Sequence, residues 1–180
     1  QKHPEYQYLD LVREALEHGI KKVDRGTNIK LYSLFGRQIR YDLSQSPPAG
    51  GFPLLTTKRV YWKGVLHEIY WFFSGQTNIK YLVDNNVHIW DDYPYKIFLQ
   101  KSKGLRIKDK VLSKEEFIAK IATDAGFARK WGNLPRIYGE MWRSWPTRTK
   151  RTIDQLKWVM QEVKEDPDAK NLIVTSWNPE

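Results

Sequence analysis

Apolar positions in the first third of the chain follow two simple periods. Residues 5–18 carry apolar side chains three or four positions apart and stop at Gly19, which predicts a helix with a glycine at its C-terminus. Residues 30–43 alternate between apolar and polar side chains and are interrupted by Gly36, which predicts a strand, a bend and a second strand. Prolines and glycines within 44–51 predict a loop.

The stretch from Val60 to Phe73 is apolar on nearly every side and is followed by Gly75. A helix with this pattern is expected to be buried over most of its surface. Glu68 lies within it, one turn after Val65. A carboxylate in such a position either pairs with a cation or takes part in chemistry.

Two capping boxes predict helix starts in the second half of the chain. Ser113 with Glu116 precedes an apolar face that is expected to end near Gly126, and Thr152 with Gln155 precedes a second one. The sequence 166–168 is expected to stop that later helix.

The last apolar run, Leu172–Trp177, predicts a strand that is buried on both faces. Helices and strands occur without the regular alternation of a βαβ protein, so the sequence predicts an α+β fold. The chain ends two residues after Asn178, with no further element to close the domain.

Basic charge is concentrated in one segment. The 180-residue chain has 30 Lys and Arg against 21 Asp and Glu, and its formal net charge is +9. Much of this excess lies between Pro94 and Leu134, and we interpret 94–134 as a small basic subdomain inserted into one domain, 1–180. The charge favours anionic partners such as nucleotides, polyglutamylated cofactors or nucleic acid, and a solvated basic face explains it as well.

Several kinds of site are not expected. The chain has no cysteine, which excludes disulfides and thiolate metal sites within it. No metal site is expected at the four histidines, which lack ligand spacing: His3, His18, His67 and His88. The sequence has no signal segment and no apolar run of membrane-spanning length, so we predict a cytoplasmic protein without a membrane partner.

Three features are candidates for chemistry. Burial of Glu68 would disfavour its charged form, which suits proton exchange near neutral pH, although a structural carboxylate paired with Arg or Lys fits the same pattern. The aromatic blocks 89–93 and 137–143 suit a planar heterocycle, and core packing explains them equally well. Cations at turns would suit phosphate if they converged and are otherwise surface charges: Arg25, Lys58, Arg59, Arg143 and Lys170.

Short blocks in a fixed order cover essentially the whole chain. They are Phe52-Pro53-Leu54-Leu55-Thr56-Thr57-Lys58-Arg59, Trp62-Lys63-Gly64, His67-Glu68, Trp71-Phe72, Gly75, Thr77-Asn78-Ile79, Ile89-Trp90-Asp91, Tyr138-Gly139, Trp142-Arg143, Ile153-Asp154-Gln155 and Trp177-Asn178-Pro179. This ordered series closely resembles thymidylate synthase. No single block would decide the matter, but together in family order they make a chance match negligible.

The resemblance implies an α+β fold with a large twisted mixed sheet, packed helices and a small inserted helical subdomain. It implies an obligate homodimer through the back face of that sheet. The implied reaction converts dUMP to dTMP, with 5,10-methylenetetrahydrofolate as co-substrate and no metal. In the family a cysteine thiolate adds to C6 of the pyrimidine, which makes C5 nucleophilic.

The resemblance also assigns roles to residues. Glu68 matches the active-site glutamate that assists proton transfers, and Tyr138 matches the tyrosine beside the nucleophile. The remaining matches concern binding: Lys58, Ile89, Trp90 and Tyr93 for the folate, and Arg25 and Lys170 for the phosphate of dUMP.

The chain departs from the family at several positions. The loop after Arg25 is one residue longer, and 135–137 replaces a Gly-Pro-Val-like sequence. The Arg-Arg pair that holds the partner's phosphate is replaced by Lys170 and Asn171, and this replacement is expected to weaken dUMP binding, because Lys lacks the bidentate fork and Asn is neutral. The family's cysteine would follow Glu180, so we expect the chain to be an N-terminal portion, inactive alone.

Two alternatives remain open on the sequence. One is a hydroxymethylase of the same family acting on dUMP or dCMP, in which water rather than hydride completes the reaction. The other is a non-catalytic homologue that binds nucleic acid through 94–134, which predicts strongly salt-dependent binding.

Overall fold

A computed structural model of the chain describes residues 3–45, 51–102 and 111–178. These residues form two compact units, 1–60 and 61–180, and each is described by itself. The N-terminal unit contains α1 (Tyr6–His18), β1 (Ile20–Val23) and β2 (Lys30–Ser33). The second unit contains α2 (Trp62–Phe73), α3 (Lys80–Asp84), α4 (Asp92–Ser102), α5 (Lys114–Thr123), α6 (Ala125–Trp131), α7 (Tyr138–Arg143), β3 (Trp145–Pro146), β4 (Thr152–Ile153) and α8 (Gln155–Glu165).

Helix α1 confirms the first predicted helix and its glycine stop. The N–H of Gly19 donates to the carbonyl oxygen of Ala15 at 3.0 Å. A Cβ at position 19 would lie 2.2 Å from that oxygen, so the close approach of the two backbones requires glycine. Strands β1 and β2 follow as an antiparallel ribbon that runs from the pair Ile20–Ser33 to the pair Val23–Lys30.

The second strand predicted within 30–43 is wrong, because only Lys30–Ser33 forms a strand. Gly36 has the positive φ, +62°, expected of a bend. Beyond it, the side chain of Gln7 donates to the carbonyl of Arg40 at 2.6 Å and accepts from its N–H at 3.0 Å. The side chain of Gln7 therefore binds the N–H and carbonyl of Arg40, which would pair with a neighbouring strand in a sheet. Of the predicted loop 44–51, residues 46–50 lie outside the described residues.

The core of the second unit is aromatic and aliphatic. Its buried side chains are Trp71, Phe72, Ile79, Leu82, Val87, Phe98, Phe117, Ile121, Ala128 and Leu134. The Nε1–H of Trp71 is buried with the ring and donates to the carbonyl oxygen of Asn78 at 2.9 Å. This bond satisfies a polar group that would be costly to leave unpaired inside the core.

Helix α2 has two apolar stripes, and only one of them is packed. The packed stripe carries Gly64, Glu68, Trp71 and Phe72. The other stripe is exposed and carries Trp62, Val65, Leu66, Ile69, Tyr70 and Phe73, which are 38–61% exposed. The prediction that this helix is buried over most of its surface is therefore wrong for the described chain, because contacts such as Tyr70–Tyr81 and Phe73–Trp142 cover the second stripe only in part.

The described part of 94–134 contains α5, α6 and most of α4, where the pattern indicated one helix. The Ser113–Glu116 capping box is confirmed by both hydrogen bonds, at 2.7 and 3.2 Å. The helix ends at Thr123 and not at Gly126. Asp124 ends it early because its carboxylate accepts from the N–H of Phe127 at 2.9 Å and begins α6.

Helix α8 forms as predicted and ends at Asp166, but its cap differs from the prediction. Thr152 lies in β4, and the cap is Asp154, whose carboxylate accepts from the N–H of Lys157 at 2.9 Å. The same carboxylate pairs with Arg143 at 2.8 Å. The Thr152–Gln155 capping box is therefore wrong, and the side chain of Gln155 binds elsewhere.

The final run also differs from its prediction. Residues 172–178 form no strand, and Ile173 and Trp177 are 70% and 87% exposed. Among the described residues the strands pair only as two ribbons, β1–β2 and β3–β4. Helices and small sheets agree with an α+β fold, and the large twisted sheet stays a prediction. In the described ranges, no helix has the combined length and apolarity that a membrane span requires.

Candidate active site

Glu68 lies on the packed stripe of α2 and is half-buried. Its Oε1 accepts a hydrogen bond of 2.6 Å from Nε1–H of Trp90. No ion pair involves Glu68 in the part of the chain that the structure describes. The sequence left two explanations open, a carboxylate paired with a cation and one available for chemistry. The indole donor and the lack of a described basic partner argue against the first explanation, and a role for Glu68 in chemistry stays a prediction.

Trp90, the donor of this hydrogen bond, lines a pocket of about 380 Å³, whereas Glu68 itself does not line it. Three predicted site residues line it, namely Trp90, Tyr93 and Tyr138. Ile137 and Met141 add apolar wall, and the C-terminal segment contributes Ser176, Trp177 and Asn178. Arg136 also lines it. Apolar walls with a few polar groups are typical of sites for flat heterocycles.

Aromatic contacts fix the walls of this pocket. The ring of Trp90 lies 5.2 Å from that of Tyr93 and 6.2 Å from that of Tyr138. Behind the pocket, buried Phe72 packs edge-on against Tyr138, with ring centroids 5.0 Å apart. Edge-to-face contacts of this kind hold ring orientations as well as positions. Tyr138 is 40% exposed, so these contacts leave part of it accessible.

Gln155 holds the C-terminal wall of the pocket in place. Its buried amide donates to the carbonyls of Met141 and Thr175, both at 2.8 Å, and accepts from the N–H of Thr175 at 3.0 Å. The segment that carries Trp177 and Asn178 is thereby fastened to α7. Sequence periodicity assigned Gln155 to a helix cap and missed this role.

A second buried carboxylate lies next to Trp90. Asp91 is 4% exposed, and its Oδ2 lies 2.8 Å from Nδ1 of His88. Burial raises the pKa of Asp91, and the hydrogen bond with His88 opposes that shift. Its Oδ1 is buried without a hydrogen-bond partner. The contact between His88 and Asp91 therefore holds together the turn that contains Trp90.

Two residues predicted for ligand binding lie apart from the pocket lining. Ile89 is adjacent to Trp90 in sequence, but its side chain is 48% exposed and does not line the pocket. Lys170 is exposed in the segment after α8, and no ion pair of Lys170 occurs among the described residues. Their predicted roles therefore gain no support from this pocket.

The N-terminal unit carries the other two predicted residues. Arg25 is exposed in the turn between β1 and β2, where the carboxylate of Asp24 accepts from the N–H and hydroxyl of Thr27 at 2.7 and 2.6 Å. These hydrogen bonds lower the pKa of Asp24, and the one from the Thr27 hydroxyl has the largest effect. Lys58 is exposed in the segment that follows Thr57. Arg25 therefore sits in a turn that hydrogen bonds hold in shape.

Sequence reasoning missed one buried carboxylate in that unit. Glu5 is 6% exposed and accepts four hydrogen bonds from Thr56 and Thr57, which lie more than fifty positions away. No local pattern could have shown a contact across that separation. Among the described residues, no group of three or more His, Asp or Glu is arranged to hold a metal ion.

Comparison with known proteins agrees with the resemblance. The sequence model of the thymidylate synthase family matches residues 6–180. The thymidylate synthases of Mycoplasma genitalium and Mycoplasma pneumoniae are each 46% identical to the chain over 173 residues, which cover 96% of it. That of Rhodopseudomonas palustris is 42% identical over 178 residues. The chain spans about half the length of these relatives, 55–56%. With this match over nearly all its residues, the chain belongs to the thymidylate synthase family.

Proposed function

We propose that this chain forms the N-terminal part of an enzyme that methylates dUMP to dTMP with 5,10-methylenetetrahydrofolate. The observation that carries the proposal is the hydrogen bond from Trp90 to Glu68 beside an aromatic pocket that includes Tyr138. A carboxylate with an indole donor and no cation, next to a site for flat rings, is suited to moving protons on a heterocycle. Membership of the family supplies the class of reaction.

The two oxygens of Glu68 have different surroundings. Oε1 accepts from Trp90, whereas Oε2 has no hydrogen-bond partner among the described residues and is not sealed from solvent. Trp90 therefore fixes the carboxylate in one orientation and leaves the second oxygen available. We assign to Oε2 the exchange of protons, through water, with the pyrimidine and the folate.

The pocket fits the ring of a folate or a pyrimidine in shape and chemistry. Its walls are indole and phenol faces from Trp90, Tyr93, Tyr138 and Trp177. When bound, the folate supplies the one-carbon unit and the hydride. The chain's own residues then stack on the ring, exclude water from one face and hold Glu68 toward it.

The nucleophile must come from outside this sequence, since the chain contains no cysteine. A chain without it cannot form the covalent adduct at C6, so we propose that it is inactive alone. We further propose a homodimer, in which Lys170 reaches the phosphate in the partner's site. Arg25 would bind the phosphate within its own subunit.

Product analysis of the full-length protein tests this proposal. With dUMP and methylenetetrahydrofolate, we expect dTMP and dihydrofolate in equal amounts. The variant E68Q should lower kcat by roughly 10²–10⁴-fold, the usual contribution of a proton-transfer group. E165Q is the matched control, because Glu165 is an exposed carboxylate at the end of α8, and it should leave kcat unchanged.

The same assay separates the alternatives. A hydroxymethylated product, or a preference for dCMP, would replace the methylation proposal with a hydroxymethylase. Equal activities of E68Q and wild type would remove Glu68 from the chemistry.

The nucleic-acid alternative predicts salt-dependent RNA or DNA binding by 94–134. Three lysines there already have partners: Lys114 pairs with Asp92 at 2.6 Å, and Lys120 and Lys130 lie over Phe127 and Trp131.

A further inference from the structure

His88 is the centre of a small hydrogen-bond network in the segment 86–91. Nδ1 of its ring lies 2.8 Å from Oδ2 of Asp91, and Nε2 lies 2.9 Å from the side-chain oxygen of Asn86. The contact with Asp91 spans the backbone of Trp90, and the contact with Asn86 holds the start of the segment. One imidazole ring therefore ties together the chain before and after Trp90.

The same segment is attached to helix α2 at two points. The hydroxyl of Tyr61, the residue at the N-cap of α2, donates to the carbonyl oxygen of Asn86 at 3.1 Å. Two helical turns further along, Glu68 accepts from Nε1–H of Trp90. The contacts of His88 lie between these two attachments. They therefore restrict how far the indole can move away from the carboxylate.

Burial of Asp91 has an energetic cost that packing alone does not explain. The residue is 4% exposed, and its Oδ1 has no hydrogen-bond partner among the described residues. Burial raises the pKa of Asp91, and the hydrogen bond with His88 is the largest effect that opposes this shift. A buried polar atom without a partner destabilises the folded state. An apolar side chain would avoid this cost, so the contact with His88 has a role beyond filling space.

We propose that His88 and Asp91 are positioning residues, which hold the indole of Trp90 in the orientation in which it donates to Glu68. The inference rests on the proposed function, because it treats Glu68 as the proton-transfer group. Neither His88 nor Asp91 lines the pocket that Trp90 lines, so neither is expected to touch the ligand. The two residues act through the backbone of Trp90.

The next carboxylate along the chain provides a matched control. Oδ1 of Asp92 lies 2.6 Å from Nζ of Lys114, and both side chains are exposed, at 63% and 39%. This ion pair joins the first turn of α4 to the first turn of α5 and does not span Trp90. D92N therefore removes a paired carboxylate from the position next to Asp91 without breaking the contact that the proposal invokes.

Nuclear magnetic resonance of the full-length protein, isotopically labelled at its tryptophans, tests the inference without turnover. W90F identifies the indole N–H signal of Trp90 by its absence. H88F removes both ring nitrogens at a side chain that is 47% exposed, so the fold should survive. We expect the Trp90 indole proton to move upfield and to exchange with solvent faster, because its hydrogen bond to Glu68 weakens. The signal of Trp71, which donates to Asn78, should not move.

Three further variants complete the spectroscopic test. D91A removes the acceptor of the same contact and should reproduce the H88F shift. H88Q keeps a side-chain donor for Asp91, so its Trp90 signal should lie closer to that of wild type. D92N should leave the signal unchanged. If H88F does not fold, H88A removes the same nitrogens with a smaller side chain.

Steady-state kinetics separate positioning from a general loss of stability. At saturating dUMP, H88F should lower kcat about threefold to tenfold, since a proton-transfer group works poorly when misplaced. D92N should keep the wild-type kcat. In the W90F background, H88F should lower kcat no further, because no indole N–H is left to position. A purely structural role would lower kcat by the same factor in both backgrounds.

The outcomes that oppose the inference are distinct. An unchanged Trp90 signal in H88F overturns it, and so do equal shifts of the Trp90 and Trp71 signals, which would indicate general loosening. A further fall of kcat when H88F is added to W90F also overturns it. Absence of dTMP formation by wild type refutes the proposed function instead, and the indole signals then still show whether His88 and Asp91 hold Trp90.

Discussion

Replacement of Trp90 by phenylalanine isolates the hydrogen bond on which the candidate site depends. The change keeps an aromatic ring in the cluster but removes the Nε1–H that lies 2.6 Å from Glu68. A hydrogen bond to a charged group contributes about 1.5–3 kcal/mol, and the half-buried position of Glu68 favours the lower end. Loss of part of the indole should add about 1 kcal/mol through poorer packing. We therefore expect W90F to lower the free energy of unfolding by about 2.5 kcal/mol.

Trp71 offers a control with a similar cost and no bond to Glu68. It is fully buried and donates its N–H to the carbonyl of Asn78, so W71F should lose about 2–4 kcal/mol. The two variants are each combined with E68Q in a double-mutant cycle. The coupling energy should be about 1–1.5 kcal/mol for Trp90 and within about 0.5 kcal/mol of zero for Trp71.

Urea unfolding of the full-length protein, followed by far-ultraviolet circular dichroism, gives these energies. The matching catalytic measurement is kcat. It should fall about tenfold in W90F if the poorer orientation of Glu68 raises the activation free energy by about 1.4 kcal/mol. W71F should retain kcat at temperatures where it is folded. A coupling energy for Trp90 no larger than that for Trp71 would refute the view that the indole orients the carboxylate.

Three other changes test separate parts of the structure. Q155L leaves backbone groups of Thr175 and α7 unsatisfied and should lower the free energy of unfolding by about 2–4 kcal/mol, seen as a lower urea midpoint. The pKa of Glu5 is lowered to about 2, so its contribution to stability is present above its unfolded pKa and is lost as the pH falls toward 2. The urea midpoints of wild type and E5Q should therefore differ at pH 7 and converge near pH 2. A difference that stays constant with pH would contradict this reasoning. K170R/N171R should strengthen dUMP binding about tenfold in a calorimetric titration, since two guanidinium groups replace a point charge and a neutral amide.

Local patterns predicted four helices, α1, α2, α5 and α8, and missed the other four in the described residues. The Gly19 stop and the Ser113–Glu116 box depend on atoms a few residues apart, so the sequence contains the whole interaction. Gln155 shows the limit of this reasoning. Its spacing from Thr152 matched a capping box, but a buried amide takes whichever backbone groups the fold brings to it, and here these are at Met141 and Thr175.

Burial was harder to predict than secondary structure. An apolar side chain can be buried at low cost, but the sequence pattern does not show which other part of the protein packs against it. The pattern at 60–73 gave the helix and the position of Glu68, yet the stripe that includes Leu66 and Tyr70 is exposed in the described chain. Residues 172–177 were expected to form a strand for the same reason, and within the described ranges no strand pairs with them.

The site was predictable in part. Trp90, Tyr93 and Tyr138 were expected near Glu68 and line one pocket beside it. The donor to the carboxylate comes from 22 residues away, a contact that no periodicity specifies. For Lys58 in the N-terminal unit the predicted role stays a prediction.

The exposed stripe of α2 also has a consequence during protein synthesis. Its last residue, Phe73, leaves the ribosome 107 residues ahead of Glu180. At roughly 5–20 residues per second, translation of that remainder takes about 5–20 s. For at least this interval the six large apolar side chains of the stripe can be reached on the nascent chain, so they offer a target to a chaperone that binds near the ribosome.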